Sequence, residues 1–372
     1  MTAPMVRFDH GPLGTGTAFE NARDVITALT PDDVPRAFAA LQEAQSQGHW
    51  LAGFASYELG YLMSRKLHGL LPDARQLPLL QFGVFDAPTP ARALNTENST
   101  LTPPKPAWDR ARYAQAFGVV HEFIKAGDIY QANLTFPLHA QLSGPPEALY
   151  AALSARQSVP YGALVHLGET ALLSRSPEMF FALSSTGELT ARPMKGTAPR
   201  GATPAEDDAL RDGLAASEKN RAENLMIVDL LRNDLSRISQ IGSVRVPELF
   251  KVERYATLHQ MTSRIIAQIN AGTSIAELFR ALFPCGSITG APKIRAMEIL
   301  RDLEAGPRDA YCGAIGWIAP DGAMEFNVAI RTLTCAPDGK VSMNVGGGVV
   351  YDSTADDEYD EALLKARFAT LT

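Results

Sequence analysis

The stretch that decides the fold is residues 310–351, AYCGAIGWIAPDGAMEFNVAIRTLTCAPDGKVSMNVGGGVVY. Pro-Asp-Gly occurs twice in it, at 320–322 and 337–339, each time between runs of apolar and β-branched residues. Pro presets φ for the first central turn position and Gly tolerates positive φ, so both copies read as β-turns. The expectation is an antiparallel meander of three strands, 310–318, 324–335 and 340–351. Upstream, strands near 162–167, 170–175, 178–183, 188–194, 243–252 and 262–269 also run in hairpins. Tyr113, Phe117, Val120 and Ile124 recur at helical spacing and stop at Gly127, the place of a left-handed cap. Further helices are expected at 145–156, 218–238, 273–282, 292–304 and 355–369. Hairpin strands with helices set between them predict an α+β fold; a doubly wound sheet would need regular βαβ alternation, which is absent.

The chain has 372 residues and a net charge of −7, from 34 Lys plus Arg against 41 Asp plus Glu. At this size about 75% of the unfolded surface is buried, so neither disulfides nor metal are needed to fold it. The acidic balance argues against a basic nucleic-acid face. Cys285, Cys312 and Cys335 fit neither a zinc site nor a disulfide framework. With no charged-then-apolar leader and no run of about 18 apolar residues, the expectation is a soluble, cytoplasmic protein without a membrane contact. Residues 86–108 are rich in Pro, Thr and Asn and lack an apolar period, which reads as a linker or long surface loop. They divide residues 1–85, a small α/β piece with a helix opening at Thr30-Pro31-Asp32-Asp33 and strands at 50–57 and 79–85, from a dense unit over 109–372.

Several polar groups stand where a plain core would not put them. The centre of 218–238, Leu225-Met226-Ile227-Val228, is apolar all round and predicts a deeply buried helix. Glu223, Asp229, Arg232, Asn233 and Asp234 lie on that same helix. They read either as an internal ion-pair set facing Arg221 and Arg232, or as ligands. Glu358 and Glu361 share a helix face at i, i+3, and their acidic first turn complements the dipole equally well. Carboxylates converging from separate helices would suit a hard cation such as Mg2+. The Gly-rich loop 285–293 opens a helix and offers backbone N–H groups to an anion. Lys195 ends a strand at Gly196, as a solvated charge or as a desolvated nucleophile.

Nine segments carry a resemblance: GDIYQANL (127–134), SRSPEMFF (174–181), RPMKGT (192–197), KNRAENLMIVDLLRND (219–234), FPCGSITGAPK (283–293), YCGAIGW (311–317), AIRT (329–332), GGG (346–348) and EYDE (358–361). In this order they resemble the chorismate-utilising enzymes, a family that includes anthranilate, aminodeoxychorismate, isochorismate and salicylate synthases. The resemblance spans about 110–370 and implies a four-layer α/β/β/α arrangement, two packed antiparallel sheets flanked by helices. Lys195 before Gly-Thr, together with Gln131 where water-adding members carry Lys, resembles the aminodeoxychorismate synthase branch. The anthranilate synthases, the alternative, resemble it but carry Ala at the Lys195 place.

That resemblance implies amination of chorismate to 4-amino-4-deoxychorismate on the route to folate. Lys195 is then the nucleophile, Glu178 the general acid, and His259 a residue near the enolpyruvyl side. Gly196, Thr197, Tyr311, Arg331, Lys365 and the backbone of Gly346, Gly347 and Gly348 would hold the substrate. Mg2+ would be held by Glu223 and Glu361, with Glu358 acting through water. No cysteine sits in a glutaminase-like turn, and the length leaves no room for a fused amidotransferase. A partner glutamine amidotransferase subunit is therefore expected to supply ammonia.

Overall fold

Both Pro-Asp-Gly turns form, with Gly322 at φ 92° and Gly339 at φ 80°. The expected strand 324–335 does not. In the computed structural model, which describes residues 4–94, 99–255, 258–304 and 306–370, it is two strands in two different sheets, Met324–Val328 and Thr332–Cys335. Between them the chain crosses from one sheet to the other, with Arg331 at φ 50°. The apolar phase slips by one residue between Ile330 and Leu333, but alternation reports which face is buried and not which strand lies alongside, so the pattern did not divide the segment between two sheets.

Among the described residues the first sheet has 11 strands and the second 10, and their pairings are antiparallel. The long partners of the first are Gln131–Ser143 and Lys340–Val349, paired in unbroken register from Val349↔Ala132 to Lys340↔Gln141. The second sheet ends on Met194–Pro199, which pairs with Leu258–Gln268. Strands from residues 1–85 extend both sheets: Met5–Phe8 pairs with Tyr161–His166, and Trp50–Ala55 with Ala314–Ile318. The segment 86–108 is tied down by two-residue strands at Thr89–Pro90, Thr100–Leu101 and Lys105–Pro106; its residues 95–98 lie outside the described residues.

Three apolar clusters define four layers. One joins the helices Asp33–Ser46, Glu218–Ser236 and Ile275–Leu282 to the outer face of the second sheet. Another joins Arg110–Lys125, Pro146–Arg156, Lys293–Leu303 and Ala355–Ala366 to the first. The third and smallest lies between the sheets and includes Val6, Phe8, Phe19, Phe54, Phe85, Val165 and Ile315. The fold is α+β, as the hairpin pattern predicts. The inter-sheet core is drawn from one end of the sandwich. Toward the other end the inward residues become polar: Gln131, Asn133 and Thr135 alternate with the outward Ala132, Leu134 and Phe136. A gap lined by such groups is where a polar ligand fits.

Helix Glu218–Ser236 is half-buried rather than enclosed. Ile227, Val228, Leu231 and Leu235 pack inward while Leu225 is 43% exposed. A run of four apolar residues covers the whole helix circumference, but only the i, i+3/i+4 stripe meets the sheet. The internal ion-pair set does not form either. Asp229 and Arg232 pair on the exposed surface, and Arg221 lies over the Phe250 ring.

Candidate active site

Two sheet-to-sheet crossovers run side by side at the polar end. The first, Pro177–Glu178, leads from Ala171–Ser176 in one sheet to Met179–Leu183 in the other. The second contains Arg331. They are stitched together: Val328 N–H donates to Glu178 O (3.0 Å), and Arg175 N–H to Arg331 O (2.9 Å). Ser176 Oγ donates to Val328 O (2.6 Å). Both functional side chains thus hang on backbone that leaves a sheet, where the next residue need not face a neighbouring strand.

Glu178 is buried, and burial pushes its carboxyl up to about 7, against the opposing pull of Ser287 and Lys195. Ser287 Oγ donates to Oε1 at 2.7 Å. Ser287 belongs to the loop read as an anion cradle. In the fold that loop is buried, and its hydroxyl braces the acid. Its Lys293 is held by Asp234 (2.7 Å) and Leu282 O (2.9 Å). Nothing in the local sequence says that residue 287 meets residue 178.

Lys195 comes from the edge strand Met194–Pro199, whose register with Leu258–Gln268 is broken between Met194 and Thr197. Gly196 sits there at φ 83°, with Asn220 packed where a Cβ would stand. Gln260 latches this turn, donating to Gly196 O (2.8 Å) and accepting from Thr197 Oγ1 (3.0 Å). Burial holds the Lys195 amine below its ordinary value, while Glu223, Glu178 and Glu361 pull the other way and Lys365 adds to the drop. The first sheet closes over it. A methyl built on Gly348 would stand 2.8 Å from Gln131 Nε2 and 3.3 Å from Lys195 Nζ. Both polar atoms of the Gln131 amide are buried without a partner. Gln131 is the site residue most easily missed, because its importance lies in the two unmet hydrogen bonds and not in charge.

The triple glycine makes room for the chain's own side chains. A methyl on Gly347 would meet Glu358 Oε2 at 2.5 Å, and Gly346 O accepts from Lys365 Nζ (3.0 Å). Glu358 accepts from Ser353 Oγ (2.7 Å); burial pushes its carboxyl up, and Glu361 and Glu223 add to the rise. Burial pushes the Glu361 carboxyl up, but Lys365 at 2.8 Å, together with Lys195 and Lys219, outweighs it and holds the carboxyl below the usual value. Glu223, Glu358 and Glu361 therefore share one electrostatic field. Their all-oxygen donor set is of the type Mg2+ takes. Among the described residues, however, no three His, Cys, Asp or Glu side chains are gathered closely enough to hold an ion.

The Arg331 side chain makes no hydrogen bond or ion pair among the described residues, and burial alone lowers its guanidinium from the ordinary value. A half-desolvated, unpartnered guanidinium is a receptor for a carboxylate. Tyr311 is buried and lines a cavity of about 180 Å3 with Thr135, Thr332 and Arg308, a cavity that Lys195, Glu178, Arg331 and the three glutamates do not line. Arg308 donates to Glu304, Asn133 O and Ile288 O, tying the Ser287 loop to the strand of Gln131.

His259 stands apart. Alternation puts it with Met261 and Ile265 on the helix-covered face, opposite Gln260, and its Nε2 lies 2.8 Å from Asp207. It makes no hydrogen bond or ion pair with Lys195, Glu178 or the three glutamates. Asp207 also pairs with Arg200 and Arg254.

With this geometry in view, comparison with known proteins is decisive about kinship. The profile of the family described as chorismate binding enzyme matches residues 88–370. The chain belongs to that family. Aminodeoxychorismate synthase component 1 of Escherichia coli (strain K12) is 45% identical over 256 residues, covering 69% of this chain and 56% of the relative. Anthranilate synthase component 1 of Pseudomonas putida is 36% identical over 304 residues, covering 81% and 59%. The match thus spans little more than half the length of these curated family members. Anthranilate synthase component I from Streptococcus pneumoniae superposes with a TM-score of 0.81 over 99% of this chain and 93% of that one, at 23% identity. That likeness speaks for the family's fold. No described helix is long and apolar enough to cross a membrane.

Proposed function

We propose that the chain aminates chorismate at C4 to give 4-amino-4-deoxychorismate, with ammonia supplied by a partner glutamine amidotransferase. The observation that carries the reading is the pairing of a desolvated Lys195 amine with Glu178, a carboxyl raised to about 7. One is shifted toward the neutral nucleophile and the other toward the protonated acid, the two forms that a displacement requires. The Lys195 amine attacks C2, both ring double bonds shift by one bond, and the 4-hydroxyl leaves as water with the proton of Glu178. Ammonia then attacks C4, both double bonds shift back, Lys195 is expelled from C2 as the neutral amine, and the proton shed by the new ammonium restores Glu178. Arg331 receives a substrate carboxylate; Thr197, Tyr311 and the Gly346–Gly348 backbone orient the ring. Mg2+, held by Glu223, Glu358 and Glu361, would supply counter-charge to the ring carboxylate and polarise the ring. His259, fixed by Asp207, supports the strand beside Thr197.

The test is product analysis with chorismate, MgCl2 and ammonium, for wild type and Lys195→Ala. The expected product is 4-amino-4-deoxychorismate, with at least about a hundredfold loss in the variant. Release of pyruvate with a fluorescent aromatic product would point to anthranilate formation instead, and full amination by Lys195→Ala would remove the nucleophile assignment.

A further inference from the structure

Strand Gln131–Ser143 is complete along one edge and interrupted along the other. Lys340–Val349 pairs with it from residue 132 to residue 141. On the opposite edge Gly290–Ala291 covers Gln131 and Ala132, and Lys105–Pro106 covers Leu138 and His139. Between those two, among the described residues, no strand lies alongside 133–137, and two side chains fill the gap. Asn133 O accepts from Arg308 Nη2 (2.7 Å), and Thr135 N–H donates to Glu304 Oε1 (3.0 Å). Arg308 Nε donates to Glu304 Oε2 (2.8 Å) and its Nη2 to Oε1 (2.7 Å). The forked ion pair thus supplies the donor and the acceptor that a neighbouring strand would supply.

The same guanidinium reaches one element further. Its Nη1 donates to Ile288 O (3.1 Å), and Asn133 N–H donates to Thr289 O (2.9 Å), so the residues just after Ser287 are pinned to the strand. Arg308 is itself immobilised: it is buried, it lies 4.4 Å over the Tyr57 ring, and its backbone N–H is held by Glu58 Oε1 (2.7 Å). It makes no hydrogen bond or ion pair with Glu178 or Lys195. The groups that face Glu178 are the Ser287 hydroxyl and the Cys285 thiol from this loop and the Lys195 amine from the edge strand.

We propose that Arg308 is a positioning residue for the amination, holding the loop 286–291 against strand Gln131–Ser143 so that the Ser287 hydroxyl stays on Glu178. This deepens the reading of Glu178 as the acid and rests on it. A lysine carries a single compact donor head and cannot bond Glu304, Asn133 O and Ile288 O together. With the loop released, Ser287 withdraws and the ionised form of Glu178 loses a donor. The acid then ionises at higher pH and is no longer held in line with its target.

The experiment measures kcat and KM for chorismate amination against pH, at fixed free ammonia, for wild type, Arg308→Lys, Ser287→Ala and the double variant. Glu304→Gln, which loosens the fork and leaves Arg308 in place, carries the same cycle if Arg308→Lys does not fold by circular dichroism. Expected for Arg308→Lys is a kcat about tenfold lower, with KM for chorismate changed less than about threefold because Arg331 hangs on the other crossover. The alkaline fall of kcat should move upward by as much as in Ser287→Ala, and the double variant should show no further shift. Glu304→Gln should shift it the same way by less. A lower Tm with the alkaline fall unmoved would make Arg308 purely structural and overturn the proposal. So would shifts that add in the double variant, or a shift in Arg308→Lys that Ser287→Ala does not share. Wild-type kcat and an unchanged alkaline fall in Glu178→Gln would instead remove the acid assignment, and the proposal with it.

Discussion

Two buried carboxyls at neighbouring parts of the second sheet have opposite fates. Glu178 has one neutral hydroxyl donor, Ser287, and burial raises it to about 7. Asp207 is surrounded by Arg200, Arg254, His259 and the Gly201 N–H, and these drive its carboxyl far below the usual range, with the Arg200 hydrogen bond the largest cause. The first is under-partnered and so remains able to exchange a proton; the second is saturated and serves as a clamp between helix Pro204–Ala216 and the strands it covers. Burial and conspicuous chemistry are common to both. What separates a reactive acid from a structural one is the count and charge of its donors.

The sharpest way to break this contrast is Glu178→Gln. If Glu178 is the acid, kcat for chorismate amination falls by about 10²–10⁴-fold. The same substitution tests the raised carboxyl independently of turnover. The folded protein binds the Glu178 proton more tightly than the unfolded chain, so its stabilising contribution is present below about pH 4.5 and lost as pH rises through about 7. Between pH 5 and pH 8 Glu178→Gln should therefore gain stability relative to wild type, by up to roughly 3 kcal/mol. Urea unfolding at the two pH values measures this, and an unchanged difference would place Glu178 in the ordinary carboxylate range.

Asp207→Asn probes the other side. It leaves guanidinium groups and the His259 ring without their shared acceptor, so Tm should drop by several degrees while kcat changes far less than for Glu178→Gln. A kcat loss as large as that of Glu178→Gln, at unchanged Tm, would move Asp207 and His259 into the reaction. The smallest effect is expected for Ser287→Ala. Its hydroxyl favours the ionised carboxylate, so removing it raises Glu178 further. The fall of kcat at alkaline pH should then shift upward by up to about one pH unit, with a modest change in the plateau. A downward shift would mean that Ser287 favours the neutral acid.

Much of the fold was legible because it is local. The Pro-Asp-Gly turns, the Gly127 stop after Arg110–Lys125 and the alternation of Gln131–Ser143 are consequences of neighbouring residues, and they gave the α+β class. The two crossovers were not legible. The apolar phase of residues 324–335 slips between Ile330 and Leu333, but only the partners across the gap show that Val328 and Thr332 belong to different sheets. The same holds within the site. Residue types and motif order named Lys195, Glu178, Arg331 and the glutamates. That Ser287 braces Glu178 from 109 residues away, that Gln131 stands unpartnered against Gly348, and that His259 faces Asp207 are long-range facts.

The sequence by itself determined the chemical inventory: an amine before a glycine turn, an acid after Ser-Pro, carboxylates one helical turn apart, and glycines where side chains must enter. These follow from covalent structure and from periods of 2 and 3.6 residues, which act over a few positions. The tertiary structure decided which members of that inventory can react. Proton affinity depends on burial and on the charges within a few ångströms, and those neighbours are brought together from other elements, Ser287 from 109 residues beyond Glu178 and His259 from 52 beyond Asp207. It set Glu178 near neutrality, drove Asp207 down, and set Lys365 against Glu361 and the Gly346 carbonyl.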